Sequence, residues 1–391
     1  MTTTSFKALG VSPDLVDALR RDGIESPFPI QSMTIADGLG GRDILGKAKT
    51  GSGKTLAFGI PLLERVGDAK PRRPTGLVLV PTRELANQVC KVLVPLAKLR
   101  NRSVTAVYGG MGFEPQITAL RKGVDVVVGT PGRIIDLTER GEVSFGDVEV
   151  LVLDEADRMA DMGFMPQVQK ILYGLESEHQ TMLFSATLDG AVKALVNRYM
   201  KDPIFHEVES DEPTVAEMEH RFLYVHEMDR VKVVAAITRG VERALVFCNT
   251  KRAADRLVTK LRAEGVKADA IHGDLRQAAR ERALADFMAG KLPVLVATDV
   301  AARGLHVEGI DVVIHYDPTD DPKTYLHRSG RTARAGESGV AVTLMLWNQE
   351  NDVRVIQRRL GLEMPIVEVF SNDPRLADLK GWDPSEESVS V

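Results

Sequence analysis

The chain has 391 residues, 44% hydrophobic, 27% charged and 5% aromatic, an ordinary globular composition that excludes a disordered chain. That length exceeds one typical core and fits two domains. A net charge of −5 and a pI near 6.0 exclude a protein that coats nucleic acid by bulk electrostatics, so any nucleic-acid contact is local.

Residues 1–14 show no basic segment followed by an apolar run, and no apolar stretch is long enough to span a bilayer. A cytoplasmic enzyme with no membrane partner is therefore expected. Apolar runs at 76–82, 103–110, 124–130, 148–155 and 181–187 alternate with helical stretches, as buried parallel strands do. The rhythm returns at 243–250, 267–274, 292–299, 311–317 and 339–346. The expected fold class is α/β, with two doubly wound parallel-sheet domains in tandem. They are assigned to 1–205 and 219–370, with an acidic linker at 206–218 and a short acidic tail at 371–391 that offers no second binding module. With no short-period repeat, the duplication is one of fold and not of sequence. Cys90 and Cys248 fall in separate halves inside apolar patterns and are read as core thiols.

The polar residues that follow the first-half strands are Lys54, Thr55, Arg83, Arg133, Asp154, Glu155, Ser185 and Thr187. All fall at carboxyl ends, the edge where open α/β sheets bind ligands, so they can share one site.

The run Ala48-Lys49-Thr50-Gly51-Ser52-Gly53-Lys54-Thr55 follows an apolar strand and opens a helical stretch. That is phosphate-loop context: small residues expose backbone N–H groups, Lys54 reaches the β- and γ-phosphates, and Thr55 holds Mg²⁺. Ala48 stands where the general pattern has glycine. Next, the strand at 148–153 delivers Asp154 and Glu155; Asp154 suits Mg²⁺, directly or through water, and Glu155 suits orienting and deprotonating the attacking water. Near the other end, His327-Arg328-Ser329-Gly330-Arg331-Thr332-Ala333-Arg334 sets Arg331 and Arg334 on one face if the segment is helical. By itself the pair fits a basic face on RNA or water as well as a γ-phosphate. The balance tips because the first half has a phosphate loop and a carboxylate but no obvious arginine finger.

These motifs resemble those of DEAD-box ATP-dependent RNA helicases of superfamily 2, in a bacterial-type minimal core, from Phe6 to about Leu346, with Asp154 to Asp157 as the naming tetrapeptide. The resemblance implies two RecA-like domains. It also implies that Gln31, in the segment Gly23 to Gln31, hydrogen-bonds the adenine edge while Phe6 stacks on the base. Pro81, Thr82 and Arg83, then Gly109 and Gly110, then Thr130, Pro131, Gly132 and Arg133 resemble loops that hold an RNA backbone; hydroxyls, arginines and glycine N–H groups suit sugar and phosphate without reading bases. Ser185 and Thr187 resemble a coupling motif that bonds to Asp157, although Ser185 also fits a helix cap. In the second half, Thr250, Gly273, Gln277, Arg280, Thr298 and Arg303 resemble further RNA contacts. Gly304 resembles an ATP contact, and Asp299 and His327 coupling residues.

One departure stands out. The family reads RGxD where this chain reads Arg303-Gly304-Leu305-His306, so His306 replaces the aspartate that contacts the ATP ribose. A neutral imidazole is also able to bond a ribose hydroxyl. Asp311 begins the next strand and is no substitute. Ile24 and Ala333 are milder departures.

The function implied is coupling of ATP hydrolysis, with Mg²⁺, and two-domain closure to local unwinding of RNA duplexes or ribonucleoprotein remodelling, without sequence specificity. Its partners are single-stranded or short duplex RNA, with ribonucleoprotein, RNA-decay or ribosome-assembly partners, and the chain acts as a monomer. Two other readings use the same residues: an ATP-dependent RNA clamp with little unwinding, and a DNA helicase.

Overall fold

The structure, a computed structural model, describes residues 5–49, 51–208, 218–302, 309–332 and 339–382. It divides into two compact units, Met1–Ser210 and Asp211–Val391. In the first, β1 (Ile44–Lys47), β2 (Gly76–Leu79), β3 (Val104–Val107), β4 (Val126–Gly129), β5 (Val150–Asp154), β6 (Gln180–Ser185) and β7 (Ile204–Glu207) form one sheet in the order β3-β4-β2-β5-β6-β1-β7. In the second, β8 (Glu219–Tyr224), β9 (Ala244–Cys248), β10 (Ala268–Ile271), β11 (Val294–Thr298), β12 (Val312–His315), β13 (Val340–Met345) and β14 (Ile366–Glu368) follow the order β10-β11-β9-β12-β13-β8-β14. Subtracting seven from each label of the second order returns the first. The two units thus share one topology, and all pairings given for both sheets are parallel.

The central strands are buried end to end because each sheet is covered on both faces, which is why they read as unbroken apolar runs. Val78, Val126, Val128, Val150, Val152, Met182 and Phe184 enter one cluster of the first unit, and their neighbours Leu77, Leu79, Val127, Leu151, Leu153 and Leu183 enter the other. In the second unit Val246, Val296 and Ile314 face one cluster, and Leu245, Phe247, Leu295 and Val313 the opposite one. Side chains alternate across a strand, so both layers draw on the same few residues. Cys248 is buried and Cys90 half-buried, and burial pushes both thiols up, Cys90 to about 12. No helix among the described residues is long and apolar enough to cross a membrane.

Two expected boundaries move. The linker was expected from 206, but β7 continues through Glu207 in parallel register with β1, and Val208 N–H donates to the Lys47 carbonyl at 3.0 Å. An edge strand alternates half-buried and exposed positions, so its polar composition resembled a linker. Residues 209–217 lie outside the described residues. The second correction concerns the tail. Residues 371–382 are packed: Leu376, Leu379 and Trp382 join the second unit's core, Arg221 Nη2 donates to the Leu379 carbonyl at 2.9 Å, and the Asp229 carboxylate accepts from Ser371 N at 2.6 Å and Oγ at 2.8 Å. Residues 383–391 lie outside the described residues.

Ending the chain at Phe370 removes those three apolar side chains and takes the Leu379 carbonyl from Arg221. Calorimetry of that truncation should show the second unit's melting midpoint lowered by at least about 5 °C; ending the chain at Trp382 instead should leave it within about 2 °C of the parent.

Candidate functional site

The polar residues singled out in the sequence do follow strand ends, and the sheet order sorts them. Ends of β5, β6 and β1, adjacent in the sheet, carry Asp154 and Glu155, Ser185 and Thr187, and the Ala48–Thr55 loop. Ends of β3, β4 and β2, also adjacent, carry Gly109 and Gly110, Thr130 to Arg133, and Pro81 to Arg83. One carboxyl edge is therefore split into two halves with different chemistry. In the second unit the ends of β10, β11 and β9 bring Gly273, Thr298 and Thr250 to the corresponding half.

The phosphate-loop run turns from β1 into the helix Lys54–Arg65, whose N-terminal N–H groups and dipole favour an anion. Gly51 and Gly53 both have φ of +86°. At Gly53 a Cβ would sit 2.4 Å from Gln31 Nε2 and 2.6 Å from Phe28 Cδ2, so glycine is required for close approach as well as for conformation. Lys54 is buried, with Nζ donating to the Ala48 carbonyl at 2.9 Å, and Ser52 Oγ donates to the Lys49 carbonyl at 2.7 Å. Thr55 is the helix's second residue, and Thr50 lies outside the described residues.

Asp154 ends β5 almost fully buried. Burial pushes its carboxyl up to about 7; Lys54 opposes the rise, Glu155 and Asp157 add to it, and the Glu155 N–H, donating to Asp154 Oδ1 at 2.9 Å, opposes it. A carboxylate so poorly solvated is a natural seat for a cation. Glu155 follows in the left-handed region, φ 52° and ψ 52°, a conformation that costs a non-glycine residue roughly 1–2 kcal/mol. The turn starts the helix Ala156–Asp161 immediately, and the Glu155 carboxylate takes a 2.6 Å ion pair from Arg158 Nη1.

Asp157 links this strand to the next. Its N–H donates to Ser185 Oγ at 3.0 Å, and its Oδ2 accepts from Thr187 N at 3.0 Å and Thr187 Oγ1 at 3.1 Å. Ser185 thereby satisfies a first-turn N–H of the helix Ala156–Asp161, so its hydroxyl is both a helix cap and a link to the tetrapeptide.

On the other half of this edge, Thr82 caps the helix Arg83–Leu99 by accepting from Leu85 N at 3.2 Å, which leaves its hydroxyl hydrogen to donate. The Arg83 guanidinium lies against Gly110, φ +84°, where a Cβ would clash with it. Arg133 departs from expectation. It is buried, with Nη2 donating to the Met111 carbonyl at 3.1 Å and its guanidinium 4.0 Å over the Phe113 ring, while Nε and Nη1 are buried without a partner. Burial lowers its pKa. It steadies the turn after Gly110 and is not presented to a solvent phosphate. Arg280 is likewise buried, whereas Thr250 caps the helix Lys251–Ala263 by accepting from Ala253 N at 3.1 Å.

The two residues assigned to adenine are both buried. Phe6 is 2% exposed and packs in the first unit's core. Gln31 is 1% exposed and braces the phosphate loop: its Oε1 accepts from Phe28 N–H at 2.9 Å and its Nε2 donates to the Gly53 carbonyl at 2.9 Å.

In the second unit, Asp299, His327 and Arg331 line one shallow pocket with Arg328. Arg331 is half-buried, with Nε donating to the His327 carbonyl at 3.3 Å. Arg303, Gly304, His306 and Arg334 lie outside the described residues. Arg328 is the residue that sequence reasoning passed over. Fully buried, it grips both oxygens of Asp299 at 2.7 Å, the Asp317 carbonyl at 2.7 Å and Asn249 Oδ1 at 2.9 Å, tying the ends of β11, β12 and β9 to the helix Pro322–Ser329. Its signal was its place three residues before Arg331 in the same arginine-rich run, although the helix ends at Ser329, before Arg331.

Two outcomes test these electrostatics. Between the ordinary aspartate range and about pH 7, Asp154 is ionised in the unfolded chain but protonated in the folded one, so its contribution falls as pH rises and is least favourable above 7. Asp154→Asn should raise the melting midpoint of the ligand-free protein at pH 8 by a few degrees, and by less at pH 5. Arg328→Met strands the Asp299 carboxylate and should cost the second unit about 3–5 kcal/mol in urea unfolding.

The DEAD/DEAH box helicase family model matches residues 28–195, and the helicase conserved C-terminal domain model matches 226–336. The chain is 41% identical to the DEAD-box ATP-dependent RNA helicase CshA of Bacillus subtilis over 358 residues, 91% of this chain and 72% of that protein. It is 42% identical to CshA of Geobacillus kaustophilus over 357 residues, 91% and 76% of the two chains. Among solved structures it is similar to Saccharomyces cerevisiae Dbp5 bound to RNA and ADP BeF3, with a TM-score of 0.78 and 31% identity across 94% of this chain and 96% of that one. A DEAD box protein from Methanococcus jannaschii matches with a TM-score of 0.51 and 37% identity, covering 93% and 99%.

Proposed function

The chain belongs to the DEAD-box ATP-dependent RNA helicases, and from that premise we propose how its residues divide the work. It hydrolyses ATP and binds RNA. The β5-β6-β1 half of the first edge takes the nucleotide. The loop N–H groups and Lys54 hold the β- and γ-phosphates, Thr55 and Asp154 hold Mg²⁺, and Glu155 orients and deprotonates the attacking water. Bound there, the metal supplies positive charge against the phosphate oxygens. Arg331 and Arg334 stabilise the charge that develops on the γ-phosphoryl group as the bond to the leaving diphosphate breaks.

The observation that carries this reading is the buried carboxyl of Asp154, its proton affinity raised, at a strand end next to Lys54 and the phosphate loop. Thr82, Arg83, Gly109, Gly110, Thr130, Pro131 and Gly132, with Thr250, Gly273, Gln277, Thr298 and Arg303, hold the RNA backbone without reading bases. Arg133 and Arg280 act from behind, by shaping the loops. Closure of the two units on ATP and RNA together strains the duplex locally, and Asp157, Ser185, Thr187, Asp299 and His327 couple it to hydrolysis. The protein works as a monomer in the cytoplasm on single strands, short duplexes and ribonucleoprotein particles.

Glu155→Gln should keep ATP affinity within about threefold while lowering RNA-stimulated turnover by at least about a hundredfold; undiminished turnover rules Glu155 out as the base. Strand displacement on matched RNA and DNA duplexes, with ATP in excess, should proceed on RNA and at background on DNA. Tight RNA retention on a nonhydrolysable ATP analogue without displacement would identify a clamp instead.

A further inference from the structure

We propose that His315, a residue no motif included, is a positioning residue for Arg331, acting through Ser329 at the end of the helix Pro322–Ser329. This rests on the reading of Arg331 as the arginine that meets the γ-phosphate. His315 ends β12 fully buried, with Nε2 3.1 Å from Ser329 Oγ, and Ser329 is the last residue of the helix. Arg331 comes two residues later. Thr332 is fastened in turn, its Oγ1 donating to the Ile310 carbonyl at 2.5 Å. The backbone that carries the Arg331 guanidinium is thus pinned on both sides, by β12 and by the residue leading into that strand. Arg328 ties the same helix to Asp299 and Asn249, and His315 holds the next residue, where the chain leaves the helix toward Arg331.

The chemistry of the ring gives this bond a direction. Burial, with Arg328 and His220 nearby, holds the proton affinity of His315 well below the usual histidine range, so the imidazole is neutral and carries one N–H. Its Nδ1 is buried without a partner among the described residues, and an N–H there would meet no acceptor. The proton therefore sits on Nε2 and donates to Ser329. One turn earlier on the same face, Tyr325 Oη is hydrogen-bonded to His220 Nδ1 of β8 at 2.8 Å. The Tyr325 ring lies 4.6 Å from that of His315 and stacks on Phe222 at 6.2 Å. Strands β8 and β12 thus grip one face of the helix through polar side chains. A leucine at 315 would fill the core and leave no nitrogen unmet, so stability alone does not account for the histidine.

The test compares the full chain with His315→Leu, His315→Gln, Ser329→Ala, Arg331→Ala and the His315→Leu, Arg331→Ala pair, at a temperature where melting curves show all of them folded. Single-turnover ATP hydrolysis with RNA is measured beside the binding of ADP alone and of ADP with aluminium fluoride. His315→Leu and Ser329→Ala should each slow hydrolysis about tenfold and weaken ADP with aluminium fluoride by the same factor, while the Kd for ADP stays within about twofold. His315→Gln, whose amide nitrogen reaches about as far as Nε2, should recover most of the rate. Added to Arg331→Ala, His315→Leu should cost nothing more, because it acts through the arginine. An unchanged rate in His315→Leu overturns the proposal. So does a further tenfold loss on top of Arg331→Ala, which would place the effect of His315 elsewhere. Arg331→Ala reports separately on the arginine: if it hydrolyses ATP at the parent's rate, the γ-phosphate reading of Arg331 falls whatever His315 does.

Discussion

Parallel pairing is the constraint from which the rest follows. With all the given strand pairings parallel, the strand ends of each unit converge on one edge, and each connection must leave that edge and return by a crossover. Helix N-termini then gather at the same edge, presenting N–H groups that the helices cannot satisfy themselves. Phosphate chemistry, whether of a nucleotide or of a nucleic-acid backbone, is what such an edge is suited to bind. Strand order decides which phosphates go where, because β5, β6 and β1 are neighbours and β3, β4 and β2 are neighbours.

The parts of the fold legible in the sequence were those with a local signature. Strands such as Val126-Val127-Val128 are apolar on both faces, and the phosphate loop is short, contiguous and rich in residues with one physical use. The illegible parts were set by tertiary partners. Ile204–Glu207 alternates as an edge strand must, and only its pairing with β1 distinguishes it from a linker. Leu376, Leu379 and Trp382 are too sparse to show a period, yet all reach the core. The same holds at the site: Lys54, Asp154 and Glu155 stand where the motifs put them, whereas no spacing rule could show that Phe6, Gln31 and Arg133 turn inward.

Local conflict marks the end of β5. Asp154 is buried against its tendency to ionise, and Glu155 adopts a backbone conformation that side chains avoid. Both strains persist because neighbours over-determine the turn: Arg158 holds the Glu155 carboxylate, and Ser185 and Thr187 hold Asp157 from the next strand. A shift of the β6 end therefore acts on Asp157 directly, and through the short turn on the two carboxylates before it. That is a mechanical route by which events along this edge bear on Glu155, the residue proposed to activate water.

The second unit shows why topology alone does not make an ATPase. By strand register Val312 corresponds to Val150, each paired with the first residue of the neighbouring strand, Ala244 or Gly76, so Tyr316 and Asp317 fall where the first unit has Asp154 and Glu155. Arg230 opens the helix after β8 as Lys54 opens the helix after β1. The charges remain, but they are spent internally. The buried Arg230 guanidinium lies 3.9 Å over the Tyr316 ring and 3.4 Å from the Asp317 carboxylate. An arginine consumed by an aromatic face and an ion pair has little left for a phosphate, and a tyrosine offers no seat for a cation. What separates the two edges is thus whether the strand end carries a carboxyl buried without a cationic side chain paired to it. Among the described residues, that carboxyl in the first unit is Asp154.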